Sequence, residues 1–125
     1  MFLPFLDIVP VISKEEVIEA KAKGVYESYM KQKQDEYKLL KKFLSIIYDK
    51  EKLGECSVYV DADYNFIISR KSDNWNKSIT IYFDGDKPFA LYSGYSQKLM
   101  MDFVKEEGDE GFESTETMIE EFLKD

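Results

Sequence analysis

The chain contains no histidine and a single cysteine, Cys56. Without histidine it lacks the commonest general base, the Ser-His and Cys-His nucleophile pairs, and the commonest transition-metal ligand. One cysteine excludes an intrachain disulfide and fits a reducing compartment. Lying beside Glu55 at the start of an expected strand, Cys56 reads as buried and inert rather than nucleophilic. The six glycines are scattered over helix ends and turns, so there is no glycine-rich loop to cradle a phosphate. Arginine occurs once against sixteen lysines, a bias of AT-rich coding sequences that points to a virus, a mobile element or a low-GC microbe. No apolar run is long enough to cross a bilayer as a helix.

What is present suffices for one domain spanning residues 1–125. The composition is 44% hydrophobic and 34% charged, that of a globular chain, and nine Tyr with nine Phe supply a large area to bury. The most apolar stretch comes first, "MFLPFLDIVPVI". It does not read as an export signal, because the first lysine, Lys14, follows the apolar run instead of preceding it. "FLDIV" between Pro4 and Pro10 is expected to be a short edge strand docked on the core, with an arm laid on a partner as the alternative.

A well-marked helix follows. Ser13 and Glu16 have the spacing of a capping box, and Ile12 and Val17 that of a hydrophobic staple. An apolar stripe runs through Ile18, Ala22, Val25, Tyr29, Tyr37, Leu40, Leu44 and Ile47 at helical spacing. Lys50 and Lys52 suit the negative end of the helix, and Gly54 suits its C′ position. Unbroken, residues 14–50 would run about 55 Å, against a breadth of roughly 35 Å for a domain of this length. A bend or break near Gly24 or in "KQKQDE" at 31–36 is therefore expected.

Alternating segments then mark strands at "CSVYV", "FIIS", "SITIYF" and "FALY", with turns at "DADYN" and "DGDKP". They predict a four-stranded antiparallel meander with one face under helices. Tyr95-Ser96 is expected to open a short helix that buries Leu99, Met100, Phe103 and Val104 and ends at Gly108. A last helix over 114–124 would bury Met118, Ile119, Phe122 and Leu123. The expected fold is α+β, with a long or broken N-terminal helix, four strands and two short C-terminal helices.

Charge is the most informative feature. Residues 102–125 hold ten acids and two lysines, which is the whole net charge of −8; residues 1–101 balance to zero. With apolar residues pinning this block to the body, an ordered negative surface is expected. Such a surface repels phosphates and disfavours direct nucleic-acid binding, while it attracts and steers a basic partner.

Other chemistry is weaker. Asp61, Asp63 and Asn65 begin like a calcium loop, but Phe66 replaces the required glycine and Ser72 the final glutamate. Asp61, Asp63, Asp84 and Asp86 would lie at one end of a meander, where a hard cation is conceivable, yet aspartate in hairpin turns is ordinary turn chemistry. No carboxylate pair stands out as catalytic, and no cofactor is expected. Trp75, in a loop with Arg70, Lys71 and Lys77, is either an interface anchor or folded back on the sheet.

The sequence thus points to a cytoplasmic, non-enzymatic protein-binding module, an inhibitor that occludes a basic, nucleic-acid-binding surface of a partner protein. Its expected contact residues are Glu106, Glu107, Asp109, Glu110, Glu113, Glu116, Glu120, Glu121 and Trp75. The alternative is an acidic homodimeric chaperone or scaffold holding a partner segment by hydrophobic contact.

Overall fold

A computed structural model describes residues 13–22, 34–84, 87–109, 111–112 and 114–124. Two helices come first, α1 (Lys14–Lys21) and α2 (Gln34–Asp49), followed by a 3-10 turn at Leu53–Glu55. Five strands follow, β1 (Ser57–Val60), β2 (Phe66–Lys71), β3 (Asn76–Asp84), β4 (Lys87–Ser96) and β5 (Met101–Glu106), and then α3 (Thr115–Leu123). The strands form one antiparallel sheet in sequence order, so the chain is a mixed α/β meander.

The start of α1 forms as its sequence predicts, with the Ser13 hydroxyl accepting from the Glu16 N–H at 3.2 Å. The helix is short, ending at Lys21 with Ala22 as its C-cap, so the N-terminal layout differs in detail from a long helix bent or broken near Gly24 or 31–36. The stripe survives that break: Ile18 and Ala22 on α1, and Tyr37, Leu40, Leu44 and Ile47 on α2, are all buried. Gly24, Val25, Tyr29 and the opening segment 1–12 lie outside the described residues.

At its other end α2 stops earlier than glycine placement suggests. Glu51, not Gly54, takes the left-handed backbone conformation, at φ 61°. Its N–H donates to Tyr48 O at 2.9 Å and that of Lys52 to Ile47 O at 3.3 Å, the paired bonds of a Schellman cap. The early stop lets the chain turn back and bury Leu53 and Cys56.

The core lies between α2, α3 and one sheet face, built from Phe43, Leu44, Phe66, Ile68, Ile79, Ile81, Ala90 and Phe122 among others. Strand alternation assigns these positions. Phe83 shares the parity of Ile79 and Ile81 but lies beyond the cover, 45% exposed. On the opposite face Ser57, Ser69, Ser78 and Ser93 form a row across four strands in register.

Two further expectations are overturned. The sheet has five strands, not four, and the segment read as the first C-terminal helix is β5, leaving α3 alone at that end. Phe103 decides between strand and helix. It pairs with Gly94, and its ring lies so close that a Cβ on Gly94 would be driven into it. The same ring meets Tyr92 at 4.8 Å and Trp75 at 5.4 Å between centroids. A strand delivers Phe103 over the gap left by glycine, whereas a helix would lose that contact and the β4 ladder together.

Candidate functional site

Three polar side chains from neighbouring strands converge beneath the sheet. Arg70 on β2, Lys77 on β3 and Tyr92 on β4 are all buried. Arg70 Nη1 donates to Phe122 O at 3.1 Å and to Lys124 O at 2.9 Å, and its Nη2 to Glu55 Oε1 at 3.0 Å. Lys77 Nζ donates to Glu121 O at 3.1 Å and also to Lys124 O. The Tyr92 hydroxyl donates to Glu121 O at 3.2 Å. All three therefore serve the carbonyls at the end of α3, where positive charge also complements the helix dipole.

The titration shifts agree with that role. Hydrogen bonds from Arg70 and Lys52 hold the Glu55 carboxyl below the usual glutamate value. Burial, with the Glu121 charge behind it, pushes Tyr92 up to about 12. Arg70, Lys77 and Tyr92 tie the end of α3 to the sheet, and Glu55 holds the Arg70 guanidinium from the other side. Cys56 is buried, its Sγ lies 3.6 Å from Lys52 O, and burial raises its thiol to about 11.

Among the described residues the Asp61–Asn65 turn assembles no metal site. Asp61 Oδ1 accepts from the backbone N–H of Asp63 and of Asn65, each at 2.9 Å, so this carboxylate organises its own turn. Among the described residues no group of three or more acidic, cysteine or histidine side chains converges as metal ligands, and Asp86 lies outside them. A cleft of about 570 Å³ lies between α1 and the end of α2, with Val17, Lys21, Tyr48, Asp49 and Leu53 in its lining.

The acidic block divides in two. On α3, Glu121 is paired with Lys124 at 2.7 Å, and Glu120 lies 3.8 Å from Lys50, while Glu116 is exposed. On β5 and the turn after it, Asp102, Glu106, Glu107 and Asp109 are all exposed, and none has a cationic partner among the described residues. Glu107 accepts from the Thr115 hydroxyl at 3.2 Å, and Asp109 Oδ2 accepts from the Glu106 N–H at 2.8 Å. Glu110 and Glu113 lie outside the described residues. The unneutralised charge is thus concentrated on β5 and its turn.

Exposed apolar side chains gather in the same place, which the sequence reading missed. Of eight large hydrophobic residues exposed among those described, five fall within 95–104: Tyr95, Leu99, Met100, Met101 and Val104, with Met100 88% exposed. A helix would have buried three of them; the β4–β5 hairpin turns them out. Its loop is closed by the Leu99 N–H donating to Ser96 Oγ at 3.1 Å and that of Met100 to Gln97 O at 3.3 Å, with Met100 at φ 53°. Residues 101–106, "MDFVKE", show no clean alternation of apolar and polar positions, so no strand signal stood out there. Trp75 is half-buried against Phe103, beneath the same hairpin.

An apolar tip edged by free carboxylates can seat in an apolar pocket rimmed by lysines or arginines. Among the described residues no helix is long and apolar enough to cross a membrane. Compared with protein families, with characterised proteins and with solved structures, the chain matches none.

Proposed function

We propose that the chain is a non-enzymatic protein-binding module that occludes a basic, nucleic-acid-binding surface of a partner protein. The observation that carries this reading is the coincidence, on one hairpin, of five exposed apolar residues with acids that have no cation beside them. A solubilising surface needs the acids alone. Large apolar side chains at the tip beside Asp102, with Glu106, Glu107 and Asp109 farther along the same strand and its turn, form the kind of patch that marks an interface. The acids attract and orient a basic surface, and Leu99, Met100 and Met101 supply the contact that excludes water. Glu116 on α3 adds to the field, while Glu121 is paired with Lys124 at 2.7 Å and Glu120 lies 3.8 Å from Lys50.

The test is retention of proteins from host-cell lysate on the immobilised chain, followed by release in a salt gradient. A retained nucleic-acid-binding protein should elute at moderate salt and be lost when Asp102, Glu106, Glu107 and Asp109 become Asn or Gln. In a mobility-shift assay it should release its nucleic acid when the chain is added in stoichiometric amount. A partner held through high salt and indifferent to those substitutions would sink the proposal.

A further inference from the structure

The β5 edge has a defined hydrogen-bonding direction. The Glu106 N–H donates to Asp109 Oδ2, and the Glu106 carbonyl accepts from the Asp109 N–H at 3.1 Å. Both groups therefore face away from β4. In an antiparallel pair, residues alternate between those bonded to the neighbour and those directed outward. Two and four residues earlier, Val104 and Asp102 must direct their N–H and C=O outward as well. The intervening Phe103 and Lys105 hold the ladder to β4, opposite Gly94 and Tyr92. Since β5 ends the sheet, the outward groups of Asp102 and Val104 meet no strand among the described residues.

From this geometry, and resting on the binding role proposed above, we infer that β5 accepts an extended segment of the partner as a sixth strand. That segment alternates apolar residues with lysine or arginine. Main-chain bonds to Asp102 and Val104 fix its register, a mode of recognition that leaves specificity to side chains. Its basic residues share the sheet face of Asp102 and Glu106. Charge also discriminates against a second copy of the chain: pairing two β5 strands about Val104 sets Asp102 directly opposite Glu106, and like charges so placed are destabilising. The Asp109 turn already occupies the outward groups of Glu106, so the added strand runs from there toward Met101.

The probe is a short peptide of alternating Val and Lys, compared with one of alternating Val and Glu, titrated into the full chain and followed by backbone amide exchange. The Val–Lys peptide should slow exchange at Asp102 and Val104, and the Val–Glu peptide should not. Val104→Pro removes only an outward N–H, which a strand edge tolerates, and should weaken binding at least about tenfold, the worth of one to two hydrogen bonds. Should that variant fail to fold, D102K with E106K serves instead and should transfer the preference to the Val–Glu peptide. Unchanged exchange at both amides, unaltered binding by a folded Val104→Pro chain, or a β5-mediated homodimer abolished by Val104→Pro would each overturn the inference. A salt-sensitive basic partner retained equally well by Val104→Pro would remove strand addition and leave the proposed function standing; failure to retain any basic partner would remove the proposed function itself.

Discussion

Arg70 and Lys77 face each other across β2 and β3, and both cationic groups reach the same carbonyl, that of Lys124 at the end of α3. The pair joins the helix to the sheet where hydrophobic packing alone would leave the last carbonyls of α3 unserved. Arg70→Met should therefore be costly although the Glu55 it contacts is exposed, because the Phe122 carbonyl loses its side-chain donor and the Lys124 carbonyl keeps only that of Lys77. We expect a loss of about 2–3 kcal/mol in urea unfolding, the cost of leaving buried acceptors unsatisfied. Lys50→Met, which breaks only the surface contact with Glu120, should change stability by less than about 0.5 kcal/mol. Equal effects would show that the Arg70 contacts are incidental.

Tyr92 gives the same junction a pH dependence. Its folded-state pKa is raised to about 12, first by burial. A raised acid favours the folded state while it stays protonated. Its contribution is thus intact below the ordinary tyrosine value of about 10 and lost as pH climbs from there toward 12. Tyr92→Phe lacks the hydroxyl and should be about 1 kcal/mol less stable at neutral pH, for one lost hydrogen bond. Because it cannot ionise, its stability should fall less steeply above pH 10, and the two curves should converge. Lysines and Cys56 titrate in both proteins and cancel in the difference; a constant gap across that range would contradict the assignment.

Cys56 should be silent toward thiol reagents in the folded chain. Burial both covers the sulfur and raises its pKa to about 11, so little thiolate exists at neutral pH. Reaction with a disulfide reagent should follow global unfolding and accelerate with urea in step with the unfolding transition. Rapid reaction in the absence of denaturant would show that the core around Leu53 opens locally.

Glu51 adopts at the end of α2 a conformation that costs side-chain-bearing residues energy. Its replacement by glycine should be stabilising, by about 0.5–1 kcal/mol, because relief of left-handed strain outweighs the extra freedom given to the unfolded chain. Glu51 forms no ion pair among the described residues, so nothing offsets the gain. A rise in the urea midpoint with unchanged slope is the expected result, and a fall would mean that the cap geometry is held by other contacts.

The sequence made legible whatever repeats with a local period. The α2 stripe, the cores of β1 to β4 and the Ser13 cap of α1 all declare themselves within a few residues of sequence. The structure bears this out at Tyr37, Leu40, Leu44 and Ile47, and in the 3.2 Å bond from the Glu16 N–H to Ser13 Oγ. β5 was illegible because its spacing of Leu99, Met100, Phe103 and Val104 satisfies a helix equally well, and the deciding contact, Phe103 over Gly94, lies nine residues away on another strand. The surface divides in the same way. The imbalance of charge could be counted, but which acids are neutralised depends on partners such as Lys50, distant in sequence from Glu120.

Gly94 is therefore the position at which β5 can be tested as a strand. Its substitution by alanine places a methyl group in the Phe103 ring. The ring must tilt or the β4–β5 ladder must open, at a cost of about 1–3 kcal/mol for an overpacked site. Trp75 reports which happens, because its ring lies 5.4 Å from that of Phe103. If β5 is held by this contact, Gly94→Ala should change Trp75 fluorescence in the native baseline and speed amide exchange at Phe103 and Lys105, leaving the β1–β2 ladder unaffected. Truncation by Phe103→Ala in the same background removes the clash, so the double variant should recover exchange protection in β5 relative to Gly94→Ala alone, although it loses the packing against Tyr92. A helix over these residues predicts the opposite: alanine for glycine at 94 would be neutral, and protection at Phe103 would not depend on residue 94 at all.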